Sequence, residues 1–212
     1  MSKIFSILSG MVLAGAAMSA HAEMKAPDAL IKDTVRDVLE VVRQDKDIRA
    51  GDQKKITDLV DEKVLPHFDF TRMTQLAVGK YWRKATPDQK QALVMQFRNM
   101  LVRTYTGAFT AYRDQTVDVK PVKVVDGATE VTVKTTINKP GAQPIPVDYT
   151  LEKANDDWKV FDLAVNGVSL VTTYRSSFGE QIEQSGIDGL IKALSEKNAS
   201  QAKSPARKAE SK

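Results

Sequence analysis

Residues 130–137 read Glu-Val-Thr-Val-Lys-Thr-Thr-Ile, and residues 145–152 read Ile-Pro-Val-Asp-Tyr-Thr-Leu-Glu. In the first run Val131, Val133, Thr135 and Ile137 alternate with Glu130, Thr132, Lys134 and Thr136. In the second, Ile145, Val147, Tyr149 and Leu151 alternate with more polar neighbours. A period of two places every second side chain on one face of a strand. Lys139-Pro140-Gly141 supplies a turn between the runs, Asp126-Gly127 precedes the first, and Asn155-Asp156-Asp157 leads into a third strand over residues 158–165. A weaker strand is predicted near residues 117–125. The stretch therefore predicts an antiparallel meander with one dry face.

Upstream of it the period is helical. Asp28 is a plausible N-cap for a helix carrying Leu30, Ile31, Val35, Val38, Leu39 and Val42, predicted to continue until Gly51. Ile56, Leu59, Val60 and Val64 predict a second helix ended by Pro66, and Asp69 caps a third that Gly79 closes. Thr86-Pro87 opens the longest helix, predicted to run to about Arg113 with Leu93, Phe97, Met100, Leu101, Tyr105, Phe109 and Tyr112 on one stripe. Two helices, about residues 169–184 and 187–197, follow the meander and are separated by Ser185-Gly186. Helices, meander and helices make an α+β order, and one dry face opposite one long stripe implies a curved antiparallel sheet wrapped on that helix. The corresponding architecture is cone-like and NTF2-like, with an added helical lobe. Such a cone is either filled or hollow, and periodicity is the same in both cases.

Composition narrows the chemistry. The 212 residues contain no Cys and two His, so disulfides, Cys-ligated metals, thiol nucleophiles and multi-His sites are excluded. Residues 1–22 carry Lys3, an apolar run and Ala20-His21-Ala22, the form of a signal peptide cleaved after Ala22. The expected domain then spans residues 23–198, followed by a disordered basic tail, 199–212. Most of the formal charge of +4 lies in that tail, where Lys203, Arg207, Lys208 and Lys212 face only Glu210. The body is close to neutral and the tail has no aromatics, so no nucleic-acid partner is expected.

Catalytic constellations are sparse. His67 and Asp69 form a possible acid–base pair and Asp162 a possible buried base. The plainer readings are a His after a helix-ending proline, a helix cap, and a carboxylate bonded to backbone amides near Gly167. Ser169 lacks the second glycine of a G-x-S-x-G elbow, and Gly79-Lys80 lacks the upstream glycine of a phosphate-binding loop. No catalytic residue, metal or cofactor is expected.

His67 also belongs to a pattern. Pro66-His67-Phe68-Asp69-Phe70, Tyr81-Trp82 before Ala85-Thr86-Pro87-Asp88-Gln89, and residues 97–105 (FRNMLVRTY) precede Trp158-Lys159-Val160-Phe161-Asp162. That segment leads into residues 166–178, NGVSLVTTYRSSF. Together they resemble the MlaC, or toluene-tolerance, family of periplasmic phospholipid-binding proteins. The resemblance implies an NTF2-like fold with an added helical lobe. It also implies a carrier of phospholipid between an outer-membrane lipoprotein complex and an inner-membrane ABC transporter complex with its substrate-binding subunit, maintaining outer-membrane lipid asymmetry. Hopanoid or another lipid is an alternative cargo, and an NTF2-like enzyme using His67/Asp69 or Asp162 is an alternative of another class. On the carrier reading Phe97, Leu101, Tyr105, Phe109, Val133, Val147, Tyr149 and Phe161 are the expected cavity wall. Tyr174 and Arg175 are then either head-group ligands or structural, with Arg175 bonded to a carboxylate such as Asp162. Without the resemblance, the same apolar residues read first as a filled core, since apolar stripes are usually core.

Overall fold

The computed structural model describes residues 24–105, 115–155 and 157–203. Helix α1 (Pro27–Gln44) begins on a proline, whose missing N–H is no loss in a first turn. Its cap is Ala26. Asp28 lies instead in the first turn, where it accepts a hydrogen bond from the Val122 amide at 3.3 Å. The predicted single helix to Gly51 is two helices: Asp45 turns extended and its carboxylate accepts from the Asp47 and Ile48 amides at 2.8 and 3.1 Å, capping α2 (Lys46–Ala50). Helix α3 (Gln53–Lys63) ends before Pro66, and Asp69 caps α4 (Phe70–Val78) by accepting from the Arg72 amide at 2.8 Å. Helix α5 (Pro87–Tyr105) opens on a reciprocal capping box in which the Thr86 hydroxyl and the Gln89 side chain each accept the other's backbone N–H. Predicted positions beyond Tyr105, Phe109 and Tyr112 among them, lie outside the described residues, as do residues 1–22 and 204–212.

Five antiparallel strands follow in sheet order: β1 (Thr116–Val119), β2 (Glu130–Asn138), β3 (Ile145–Ala154), β4 (Asp157–Val165) and β5 (Val168–Ser169). Asn166 and Gly167, at φ 51° and 79°, form the tight turn joining the last two. Helix α6 (Leu170–Lys203) bends at Gly186, where φ 74° and ψ 179° interrupt it at the predicted break. It also outlasts its predicted end. Asn198 donates to the Gln96 carbonyl and side chain at 2.9 and 2.8 Å, and Gln201 to Thr104 at 3.3 Å, so residues 199–203, expected as the start of the tail, are helical.

The α+β class with an antiparallel sheet and an added helical lobe is as the sequence predicts, but the division of labour among helices differs. Val133, Leu151, Trp158 and Val160 on the dry face pack against Leu30 and Ile31 of α1. Helix α5, predicted to lie there, instead packs with α4 and α6 around Leu93, Phe97, Met100 and Phe178. Both helices are amphipathic, so a stripe alone does not say which one meets the sheet. A bulge in β4 joins the two cores: Thr150 pairs with Asp162 and Leu151 with Val160, leaving Phe161 unpaired. Val160 therefore enters the sheet core while Phe161 enters the helical one. Arg72 of α4 lies 4.2 Å over the Phe161 ring and bonds Glu130 and Glu152, fastening the helical lobe to the sheet's polar face.

Candidate functional site

The dry face is closed at one end and open at the other. Val133 and Leu151 are wholly buried beneath α1, whereas Tyr149 and Leu163, in the middle of the same face, are only half-buried. Beyond them Ile145, Val165 and Val168 are exposed by 41, 37 and 61%. Tyr149 is the informative side chain. It packs against the sheet core, and desolvation pushes its hydroxyl up to about 12.

A groove of about 500 Å³ opens between α1 and the edge strand β1, floored by Val35, Leu39, Val117 and Val119. That volume lies inside the roughly 300–1,000 Å³ range of small-ligand sites. Lys32, Arg36 and Arg43 stand on its rim with Glu40; Arg36 is held by Asp33 and Asp37 at 2.7 and 2.9 Å. The floor is apolar and the rim mixed, a division suited to an amphiphile.

The eight expected wall residues do not gather in one place. Val133, Val147 and Tyr149 share the dry face, with Val133 opposite Tyr149 in the register. Phe97, Leu101 and Phe161 lie in the helical core, Phe97 packed edge-on against Tyr174 and Phe178 with ring centres 5.1 Å apart. Tyr105, at the end of α5, is 43% exposed, and Phe109 lies outside the described residues. The sequence reading missed Leu163 and the groove residues. Val35 and Leu39 were legible as the second flank of the α1 stripe, and Val117 belonged to the weak strand.

Two of the catalytic candidates, Asp69 and Asp162, serve as helix caps. Asp162 accepts from the Leu163 and Val171 amides at 2.8 and 3.1 Å and from the Ser169 hydroxyl at 2.6 Å, and Ser169 in turn accepts from the Thr172 amide at 3.0 Å. This is the cap of α6. Asp69 caps α4, and the His67 Nδ1 is buried without a partner, its pKa lowered mainly by burial. The expected Arg175–Asp162 bond is corrected: the carboxylate is occupied by the cap, and the Arg175 side chain lies on Gly79 instead. Tyr174 is partly enclosed, and burial raises its hydroxyl pKa first, with a contribution from Tyr105. Among the described residues no three acidic or imidazole groups cluster to hold a metal, and no helix is long and apolar enough to cross a membrane.

A family model described as MlaC protein matches residues 32–196. The chain belongs to the MlaC family. It is 28% identical over 166 residues to the toluene tolerance protein ttg2D of Pseudomonas putida, covering 77% of this chain and 76% of that one. It is 21% identical over 204 residues to the intermembrane phospholipid transport system binding protein MlaC of Haemophilus influenzae, covering 95% of both. Among solved structures, a phospholipid-binding protein from Ralstonia solanacearum, in complex with a phospholipid, matches with a TM-score of 0.79 and 40% identity. That match covers 84% of this chain and all of the other. This member of the MlaC family thus shares its fold with that protein.

Proposed function

We propose that the protein is a periplasmic phospholipid carrier, exported by its first 22 residues and holding acyl chains against the open part of the dry face. It shuttles lipid between an outer-membrane lipoprotein complex and an inner-membrane ABC transporter complex with its substrate-binding subunit. The observation that carries this reading is the apolar dry face, where Tyr149 and Leu163 are only half-buried and Ile145, Val165 and Val168 are exposed. Val147, Tyr149 and Leu163 share the dry face with the buried Val133, and Val35, Leu39, Val117 and Val119 line the groove between α1 and β1. The phospholipid bound by the similar Ralstonia solanacearum protein supports the choice of ligand.

The physics requires no catalyst. Two acyl tails present on the order of 30 methylenes at about 0.8 kcal/mol each, a prohibitive cost in water. Transfer from bilayer to an apolar cavity is nearly neutral, so enclosure suffices and the partners supply direction. The protein carries no cofactor and performs no reaction; Asp69 and Asp162 serve as caps. Mass spectrometry of organic extracts of the purified protein tests the reading. Stoichiometric phospholipid is expected; a hopanoid would change the cargo, and lipid at the level of a control protein would overturn the reading.

A further inference from the structure

We propose that the turn at residues 79–84, together with Arg175 at the start of α6, is a docking face for anionic bilayer surfaces. The turn reads Gly-Lys-Tyr-Trp-Arg-Lys. Tyr81 and Trp82 are packed against the helical core, which leaves Arg83 and Lys84 exposed on its outside. The rings hold the ammonium groups in place, with Lys80 and Lys84 at 5.0 and 6.0 Å from the Tyr81 ring centre and Lys90 at 5.6 Å from that of Trp82.

Gly79 brings a further cation to the same turn. At φ 60° it has no side chain, and a Cβ there would stand 3.1 Å from Nε of Arg175. Without a Cβ at Gly79 the guanidinium from α6 lies directly on the turn. Glu183 is occupied by Lys80 and by the Tyr81 hydroxyl, which donates to it at 2.6 Å. Among the described residues, Arg83, Lys84 and Arg175 have no carboxylate partner. Three cations therefore remain available to an external anion.

A bilayer fits better than an acidic peptide because the apolar end of the sheet is nearby. Val165 and Val168 are exposed just before α6 begins, and Arg175 lies five residues beyond Leu170, about 7–8 Å along the helix. Phosphates for the cations and an apolar boundary for the valines are offered together by a lipid surface. The proposal rests on the carrier reading only for the presence of a membrane in the protein's work. Vesicle binding and co-purified lipid are separate measurements, so either can fail alone.

The test is co-sedimentation of the full-length mature protein with phosphatidylcholine vesicles, with and without phosphatidylglycerol. Wild type should bind only the anionic vesicles, with affinity falling as salt rises. The R83Q/K84Q variant should lose about 25-fold in partitioning, the equivalent of about 1 kcal/mol per cation. Its melt and its co-purified lipid should be unchanged. Arg175→Gln, a second and independent variant, should lose about fivefold. Equal binding to both vesicle types would overturn the proposal. So would unaltered partitioning of R83Q/K84Q, including the case in which deleting residues 204–212 abolishes binding instead. Soluble polyglutamate bound as tightly as vesicles, and lost in the same variants, would assign the face to an acidic protein and also overturn it.

Discussion

Both oxygens of Asp162 are consumed inside the fold, by two backbone amides and the Ser169 hydroxyl. Asp162→Ala leaves those donors unpaired at the start of α6 and should cost about 2–4 kcal/mol, read from the urea midpoint. Ser169→Ala removes one acceptor of the cap and should cost about 1 kcal/mol. A loss below about 0.5 kcal/mol for Asp162→Ala would contradict the cap assignment. His67 makes a different prediction. Burial favours its neutral form, so its folded pKa lies below the unfolded value of about 6.5. Its contribution to stability is complete above about pH 6.5 and is lost as pH falls through the lowered value, because the unfolded chain takes up the proton first. The melting temperature should therefore decline between about pH 7 and 5, and His67→Gln should flatten part of that decline. An unchanged slope in the variant would assign the decline to carboxylates.

Among the elements, those with explicit stop and start chemistry were legible and those defined by tertiary choice were not. Thr86-Pro87, Asp69 and Ser185-Gly186 carry their own signals, and each marks the boundary the structure has. The break at Asp45 was hidden because Val42 and Ile48 stay on one apolar side through it, entering the same core with Ile56. Asp45 also binds Lys55 at 3.0 Å, a contact ten residues away that local periodicity does not encode. The dry face was legible down to its alternation. Which helix lay over it was not, because α1 and α5 both carry apolar stripes and the bulge that sends Phe161 into the helical core has no signal in the alternation. The expected wall was correspondingly mixed, taking Phe97 and Leu101 from the helical core along with Val147 and Tyr149 from the sheet. Gly186 gives this scale its prediction. Its φ of 74° with ψ of 179° is a backbone region essentially restricted to glycine, so Gly186→Ala should cost about 1–3 kcal/mol. Replacement of Gly189 should also be costly, since a Cβ there would overlap the Cβ of Ser185, which no side-chain rotation can move. Thermal melts that match wild type for both variants would contradict this geometry.

For the whole molecule the central distinction is between a filled sheet core and a hollow one, and two valines on the same face separate them. Val133 is wholly buried, lies in the core that includes Leu30 and Ile31, and has no route to solvent. Val147 is 6% exposed and sits opposite Val165, toward the open end marked by Ile145 and Val168. An arginine at Val133 places an unpaired charge in packed surroundings, a cost of several kcal/mol that matches the whole stability of a typical domain. An arginine at Val147 has an alternative if the space beyond it is open, because its stem can lie along the apolar wall while its guanidinium reaches water at the mouth. Val133→Arg is therefore expected to unfold, and Val147→Arg to keep a native circular dichroism spectrum and a cooperative melt while losing co-purified phospholipid, measured as phosphorus per protein. If Val147→Arg unfolds as Val133→Arg does, this end of the sheet is solid core. If it folds and keeps its lipid, the acyl chains lie elsewhere, and the α1–β1 groove floored by Val35, Leu39, Val117 and Val119 becomes the site to test next.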